Sequence, residues 1–286
     1  MAFRYNTDIG QNFLRDRSIV DWMMACARLT SRDIVLEVGP GNGVLTRGIL
    51  GTECSRLDAI ELDTRLRGDM EAIADSDRRL ALHWGDAVNF DYSRLTPPPT
   101  HVIANLPYHI TTPLIWRLIE ALSGSGLRYM LVMVQVEAAS RLTAGAGNRD
   151  SNPLGITLSA MGEASVKRRV SRTAFYPTPR VDSAIVEVKF SGDNTSILGL
   201  PRDKIWRRLL SGSFASRRKT LVNNWWGSFG IPKDTSTDIL ASHSLGSLSR
   251  PEEISGASWT ALYMDAALAS AIDNKDTSSD ANDSCQ

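Results

Sequence analysis

An apolar run that stops at closely spaced glycines and resumes as a helix leaves a chain few folds to choose from. Here residues 33–39 (DIVLEVG) read as a buried parallel strand. The bend Gly39-Pro40-Gly41-Asn42-Gly43 follows, and Val44–Leu50 carries helical periodicity. The alternation repeats downstream. Residues 56–62, 80–83, 101–104 and 129–134 read as strands, and 65–73, 112–122 and 137–142 fit between and after them as helices. Such alternation predicts an α/β fold, a doubly wound sheet with right-handed crossovers. Beyond Leu142 the pattern changes. Residues 144–153, rich in Gly and Asn, read as a flexible loop, and 166–172 and 184–190 as an antiparallel pair across the proline-rich turn 176–181. Residues 191–195 read as a linker, and 204–272 as helices broken near 230–232 and 249–251. The polar, acidic stretch 273–286 predicts a disordered tail. The expected domains are thus an α/β domain over 1–192 and a small all-helical C-terminal domain over 196–272.

With 286 residues, 42% hydrophobic and 22% charged, the chain has the make-up of an ordinary globular protein. A formal net charge of +0 speaks against a uniformly basic nucleic-acid binder, so any such surface must be a local patch. Cys26, Cys54 and Cys285 show neither CxxC pairing nor metal-ligand spacing, which predicts thiols in a reducing compartment and no metal. The N-terminus MAFRYNTDIGQNFL lacks a signal-peptide pattern, and no apolar run reaches spanning length. A cytoplasmic protein without a membrane partner is expected.

The glycine bend reads GxGxG rather than the GxGxxG that sets a pyrophosphate on a helix N-terminus. A loop of that shape suits a ligand without phosphate, such as S-adenosyl-L-methionine. Glu61 ends the next strand about twenty residues on, where a carboxylate can accept both hydroxyls of a ribose. Asp86, in Trp84-Gly85-Asp86-Ala87, ends the third strand, where a carboxylate can accept a bond from an adenine amine. Three ligand-type features at successive strand ends point to the carboxyl edge of the sheet.

The fourth strand ends in Asn105-Leu106-Pro107-Tyr108. The lone pair of an adenine N6 is delocalised into the ring, which makes the amine a poor nucleophile. An Asn side-chain carbonyl and a backbone carbonyl beside a proline can both accept N6–H bonds, drawing the nitrogen towards tetrahedral geometry. Pro107 fixes the local backbone and has no N–H to compete. Tyr108 offers a face on which an everted base can stack. The chemistry is positioning and electrostatics, without a metal.

Together these motifs resemble the ribosomal RNA small-subunit adenine N6,N6-dimethyltransferase family, from Gly10-Gln11-Asn12-Phe13-Leu14 to about Ala266. The resemblance implies a Rossmann-like class I methyltransferase sheet with a helical C-terminal domain. It makes Gln11, Asn12, Leu14, Gly39, Gly41, Glu61, Asp86 and Asn105 binding residues for S-adenosyl-L-methionine, and Asn105, Leu106, Pro107 and Tyr108 the catalytic tetrapeptide. Phe175-Tyr176-Pro177-Thr178-Pro179-Arg180-Val181-Asp182-Ser183 resembles the segment whose Phe helps hold the flipped base, which assigns Phe175 to substrate beside Tyr108. Phe214 to Leu221 (FASRRKTL) looks like the FxxRRKTL helix of the small-subunit enzymes. Their implied substrate is two adjacent adenosines in a hairpin loop near the 3′ end of small-subunit ribosomal RNA, in a pre-small ribosomal subunit. Arg217, Arg218 and Lys219, with Arg207 and Arg208, concentrate charge suited to RNA phosphates.

One departure stands out: the family often has Gln-Lys-Glu after the fifth strand, where this chain has Gln135-Val136-Glu137. Other readings are a large-subunit methylase of the erythromycin-resistance type, a non-catalytic RNA-binding assembly factor and, more remotely, a DNA adenine methylase. The basic C-terminal motif disfavours the first, the intact Asn105–Tyr108 tetrapeptide and Glu61 the second, and Asn105 in place of an acid the third. The chain is taken as a monomer.

Overall fold

A computed structural model of the chain describes residues 12–191 and 199–279, with side chains described as far as Asp273. Contacts between residues divide it into two units: 1–142 with 162–195, and 143–161 with 196–286. The second unit therefore takes residues 143–161 out of the span assigned above to the α/β domain. The expected linker lies almost wholly outside the described residues.

The first unit is a seven-stranded sheet flanked by helices. Its strands are β2 (Ile34–Val38), β3 (Arg56–Glu61), β4 (Leu80–Trp84), β5 (His101–Asn105), β6 (Tyr129–Gln135), β7 (Gly162–Val170) and β9 (Ser183–Phe190). They lie in the order β4-β3-β2-β5-β6-β9-β7, the first five parallel and the last two antiparallel. Val35, Leu36, Ile103, Leu131 and Met133 are fully buried, as expected of strands covered on both faces. The chain runs outward from β2 through β3 to β4, then returns to place β5 on the other side of β2. That reversal opens a crevice at the carboxyl ends of the strands.

The helices interleaved with these strands are α1 (Arg17–Ala27), α2 (Val44–Leu50), α3 (Arg67–Ser76), α4 (Thr111–Leu122) and α5 (Val136–Leu142). Asp16 starts α1 by accepting from the Ser18 N–H, which satisfies one of the open donors of the first turn. One small feature has no counterpart in the sequence pattern. Strand β1 (Phe13–Leu14) pairs antiparallel with β8 (Phe175–Tyr176), so Phe13 faces Tyr176 and Leu14 faces Phe175. Two residues are too few to carry a periodicity, yet this pairing, a two-stranded sheet of its own, fixes the N-terminal segment against β8.

The second unit is helical: α6 (Pro153–Met161), α7 (Lys204–Ser213), α8 (Leu221–Phe229), α9 (Lys233–Ser242), α10 (Gly256–Tyr263) and α11 (Ala266–Ser279). Trp206, Trp225 and Trp259 are fully buried at its centre. A buried indole N–H usually finds a partner: Trp206 donates to Thr157 Oγ1 at 2.9 Å and Trp225 to Ser213 Oγ at 2.8 Å, while Trp259 Nε1 has none among the described residues. Helix α6 has Leu154, Gly155, Ile156, Thr157, Leu158 and Met161 buried, and so lacks the one-sided stripe by which a helix is read from sequence. Before it, Asn152 Oδ1 accepts from the N–H groups of Leu154 and Gly155, so the expected loop ends in a built helix start.

Two further expectations do not hold. Residues 214–220 form a turn between α7 and α8, not a helix. Asn224 supplies the cause: its Nδ2 donates to the carbonyls of Ser213 and Ser216 and its Oδ1 accepts from Ser216 N, while Thr220 caps α8 at Asn223. The stretch expected to be disordered from residue 273 is instead helical as far as Ser279, where α11 ends. Leu268 and Ile272 are buried and anchor the helix, after which each added residue gains a backbone bond. The remainder of the expected tail, 280–286, lies outside the described residues. Among the described residues no helix is long and apolar enough to cross a membrane.

Candidate active site

The loops after β2, β3, β4 and β5 surround a cavity of about 260 Å³ at the carboxyl edge of the sheet, closed on one side by Asn12, Phe13 and Leu14. Gly39 and Gly41, with φ of +69° and +60°, turn the chain into α2 through backbone space that other residues rarely enter. At Gly41 proximity adds a second constraint. A Cβ there would fall 2.7 Å from Phe13 Cε1, so the bend and the β1 segment fit only because the side chain is absent.

Glu61, at the end of β3, is 7% exposed. Its Oε2 accepts from Gly41 N at 3.1 Å and its Oε1 from Asp63 N at 2.8 Å, fixing the carboxylate at the cavity wall. Burial pushes its pKa up, opposed by these backbone bonds. A carboxylate has about four lone-pair sites, so two acceptor positions remain for the vicinal hydroxyls of a ribose. Asp86 also lines the cavity, but both its oxygens already fold its own turn: Oδ1 accepts from Val88 N and Oδ2 from Asn89 Nδ2. That turn presents Gly85, Asp86 and Ala87 together to the cavity.

Glu37, which precedes the glycine bend, received no role from the sequence. It lines the cavity at 1% exposure, with Oε2 accepting from Thr46 Oγ1 at 2.7 Å and Oε1 buried without a hydrogen-bond partner among the described residues. Burial, reinforced by the charge of Glu61 and opposed by Thr46, pushes its pKa up to about 8. A buried orphan oxygen at a cavity wall is a place for a polar or cationic group of a ligand.

At the end of β5, Asn105 Nδ2 donates to the Asn12 carbonyl at 3.1 Å. This bond tethers the β1 segment and leaves the amide oxygen as the free end of the Asn105 side chain at the cavity. Leu106 N donates to Met133 O, while the Pro107 carbonyl accepts from Ile110 N and Thr111 Oγ1. Among the described residues the Leu106 carbonyl has no such donor. The tetrapeptide thus leaves two acceptors unused among the described residues, Asn105 Oδ1 and Leu106 O, on two residues that line the cavity. Tyr108 stands at the same cavity, and its hydroxyl shares a 2.8 Å hydrogen bond with the hydroxyl of Ser183, a residue with no exposed surface at the start of β9. Burial raises the Tyr108 pKa, so the phenol stays neutral.

Asn12, Leu14, Gly39, Gly41, Glu61, Asp86, Asn105, Leu106, Pro107 and Tyr108 therefore all line one cavity. Gln11 lies outside the described residues. Phe175 does not line the cavity: it is 2% exposed and packs in the core of the first unit. Arg217, Arg218 and Lys219 are exposed on the turn 214–220 of the second unit. Arg217 donates to the carbonyls of Arg149 and Ser151 at 2.7 and 3.3 Å and so also fastens the loop before α6. Besides Glu37, sequence reasoning missed Phe13, Leu62 and Ser183. The first two adjoin assigned residues, and the third ends the segment that begins with Phe175.

Residues 2–249 match the family described as "Ribosomal RNA adenine dimethylase". A protein named "Ribosomal RNA small subunit methyltransferase A" from Rubrobacter xylanophilus is 36% identical over 89% of this chain and 92% of its own. The protein of that name from Pseudomonas putida is 37% identical, over 88% and 91%. Among solved structures, a dimethyladenosine transferase from Plasmodium falciparum superposes with a TM-score of 0.72 at 25% identity, covering 87% of this chain and 95% of that one. The 23S rRNA methyltransferase ErmE shares the fold, with a TM-score of 0.65 at 21% identity over 88% and 98%.

Proposed function

The chain belongs to the ribosomal RNA adenine dimethylase family, and from that premise we propose that it is an S-adenosyl-L-methionine-dependent enzyme. Its reaction is N6,N6-dimethylation of two adjacent adenosines in a hairpin loop near the 3′ end of small-subunit ribosomal RNA. The observation that carries this reading is the pair of acceptors, Asn105 Oδ1 and Leu106 O, at the cavity shaped by the glycine bend.

The residues present fit the cofactor. The backbone of Gly39 and Gly41 lines the cavity, Glu61 stands at its wall with acceptor positions left for a diol, and Glu37 Oε1, without a partner among the described residues, would be satisfied by a polar group of the ligand. When bound, S-adenosyl-L-methionine supplies a sulfonium methyl as the electrophile. The protein's part is to present the nucleophile. Asn105 Oδ1 and Leu106 O accept the two N6–H bonds, which weakens conjugation of the N6 lone pair with the ring and aims it along one direction. Tyr108 stacks on the base, and the shared bond to Ser183 holds its ring in place. Once N6 carries the new bond it is acidic and releases a proton to water, so no strong base is needed. The same acceptors take the remaining N6–H for a second round.

If Ser183 acts through Tyr108, then Ser183→Ala and Tyr108→Phe each lower kcat about fivefold, the worth of one hydrogen bond of about 1 kcal/mol. The double variant is expected to lose no more than either alone. Multiplying losses in that double-mutant cycle would assign Ser183 to packing instead.

The reading extends to the cell. The enzyme would act as a monomer in the cytoplasm on the pre-small ribosomal subunit, during small-subunit biogenesis, with the helical unit recognising the particle through Arg217, Arg218 and Lys219. Labelled-methyl transfer to small subunits from a strain lacking the enzyme, read by mass spectrometry of the RNA, tests it. Two methyl groups on each of two adjacent adenosines are expected. Label confined to large-subunit RNA would assign the erythromycin-resistance activity, and binding without label an assembly factor.

A further inference from the structure

Although the chain as a whole carries no net charge, one stretch of the first unit gathers cations around the exposed side of the β1–β8 pair. The guanidinium of Arg15 lies over the ring of Tyr176, 4.1 Å from its centroid, and Arg15 N donates to Ala174 O at 2.8 Å. Arg172 Nη1 donates to the Arg180 carbonyl, and Arg172 N to Asp182 Oδ1. Arg169 pairs with the same Asp182 at 3.3 Å and keeps 71% of its side chain exposed. The Arg169 guanidinium and the Arg172 backbone N–H thus share the Asp182 carboxylate, and the Arg172 guanidinium reaches the backbone of Arg180. Two large apolar residues of the same stretch face solvent, Tyr176 at 41% and Val181 at 45%.

We propose that Arg15, Tyr176, Arg169, Arg172 and Arg180 form a landing surface for the unpaired RNA strand that adjoins the target adenosine. The proposal rests on the methyltransferase reading above and names the part of the substrate that this surface takes. Three physical points support it. An exposed aromatic ring backed by a guanidinium is a platform on which an unpaired base stacks, which a paired base in a duplex cannot do. Arginines on either side supply the phosphate contacts that any RNA strand requires. The location fits as well: Tyr176 pairs directly with Phe13, and Phe13 lines the cavity, so a strand held on Tyr176 reaches the rim beside Tyr108. An acidic protein partner would answer the charge but would have no use for the stacked ring.

The test uses the full chain and a fluorescent hairpin-loop RNA carrying the two adenosines, with affinity read by anisotropy over a series of salt concentrations. For Arg172→Gln/Arg180→Gln the dependence of log affinity on log salt is expected to shallow by about 0.7 for each phosphate that is no longer neutralised. Tyr176→Ala should weaken binding about five- to a hundredfold, with the KM for RNA rising in step, kcat at saturating RNA unchanged and cofactor affinity unchanged. Arg78→Gln, an exposed cation just before β4 at the opposite edge of the sheet, controls for net charge and should leave the slope as it is. Wild-type slope and KM in the patch variants overturn the proposal. So does an equal loss on blunt duplex RNA with Tyr176→Ala, because stacking on an unpaired base is then not what the ring does. A wild-type protein that binds the hairpin with this dependence but transfers no methyl would instead overturn the enzymatic reading and leave the surface standing.

Discussion

Asn105→Ala is expected to lower methyl transfer about a hundred- to a thousandfold while weakening cofactor affinity by less than about tenfold. The two effects separate because the two ends of the amide do different work. The oxygen accepts from N6 and acts where charge develops as the lone pair commits to the methyl; removing one such preorganised group commonly costs a factor of about a hundred to a thousand. With it goes half of the pair that distinguishes the reactive nitrogen from an ordinary ring amine. The Nδ2 donates to the Asn12 carbonyl, a tether for the segment that closes the cavity. Losing that single bond costs about 1 kcal/mol, or roughly fivefold in affinity for a ligand enclosed by the segment. Calorimetry with S-adenosylhomocysteine and labelled-methyl transfer measure the two separately. Equal losses in both would place Asn105 in the cofactor site alone. Asn105→Asp offers a second check, since it keeps an acceptor but turns a carboxylate oxygen towards the Asn12 carbonyl. Its penalty should therefore appear in cofactor affinity as well as in rate.

Much of this site could be read from the sequence, because its parts sit where one local signal ends and another begins. The run into the glycines marked β2 and α2 nearly to the residue, and Glu61, Asp86 and Asn105 each mark the end of a strand or the turn after it. A parallel sheet brings such ends to one edge whatever the side chains between them, so order along the chain becomes adjacency in space. What escaped was non-local or lacked a period. Strand β1 has two residues and exists only through its partner β8, which lies more than 150 residues away. Helix α6 is buried over most of its circumference, with only Ser159 exposed, and so has no polar face to reveal it. The turn 214–220 keeps a helical composition but is held open by the side chain of Asn224, a competition that no window of hydropathy registers. Phe175 shows the limit of transfer by resemblance: its segment does reach the site, but through Ser183 and Tyr108, while its own ring is core.

Gly41→Val should abolish measurable cofactor binding and lower the thermal midpoint of the α/β unit by roughly 2–10 °C. Three consequences of one added side chain act together. A β-branched residue at φ of +60° is strained by about 1–3 kcal/mol. Its Cβ would meet the Phe13 ring at 2.7 and 2.8 Å, and Phe13 is buried on a backbone fixed by the β1–β8 pairing, which leaves the ring little room to retreat. Any shift of the bend also moves Gly41 N away from Glu61 Oε2, removing one of the bonds that orient the carboxylate towards a ribose. Gly68→Ala, in α3 with nothing within 4 Å of the added carbon, supplies the contrast: the same kind of change should stabilise by about 0.5–1 kcal/mol and leave binding alone. Calorimetry and thermal unfolding of the two variants side by side decide whether the bend itself is the cofactor's seat. A Gly41→Val protein that unfolds early yet binds the cofactor as the wild type does would move that seat elsewhere along the sheet edge, and with it the role given to Glu61.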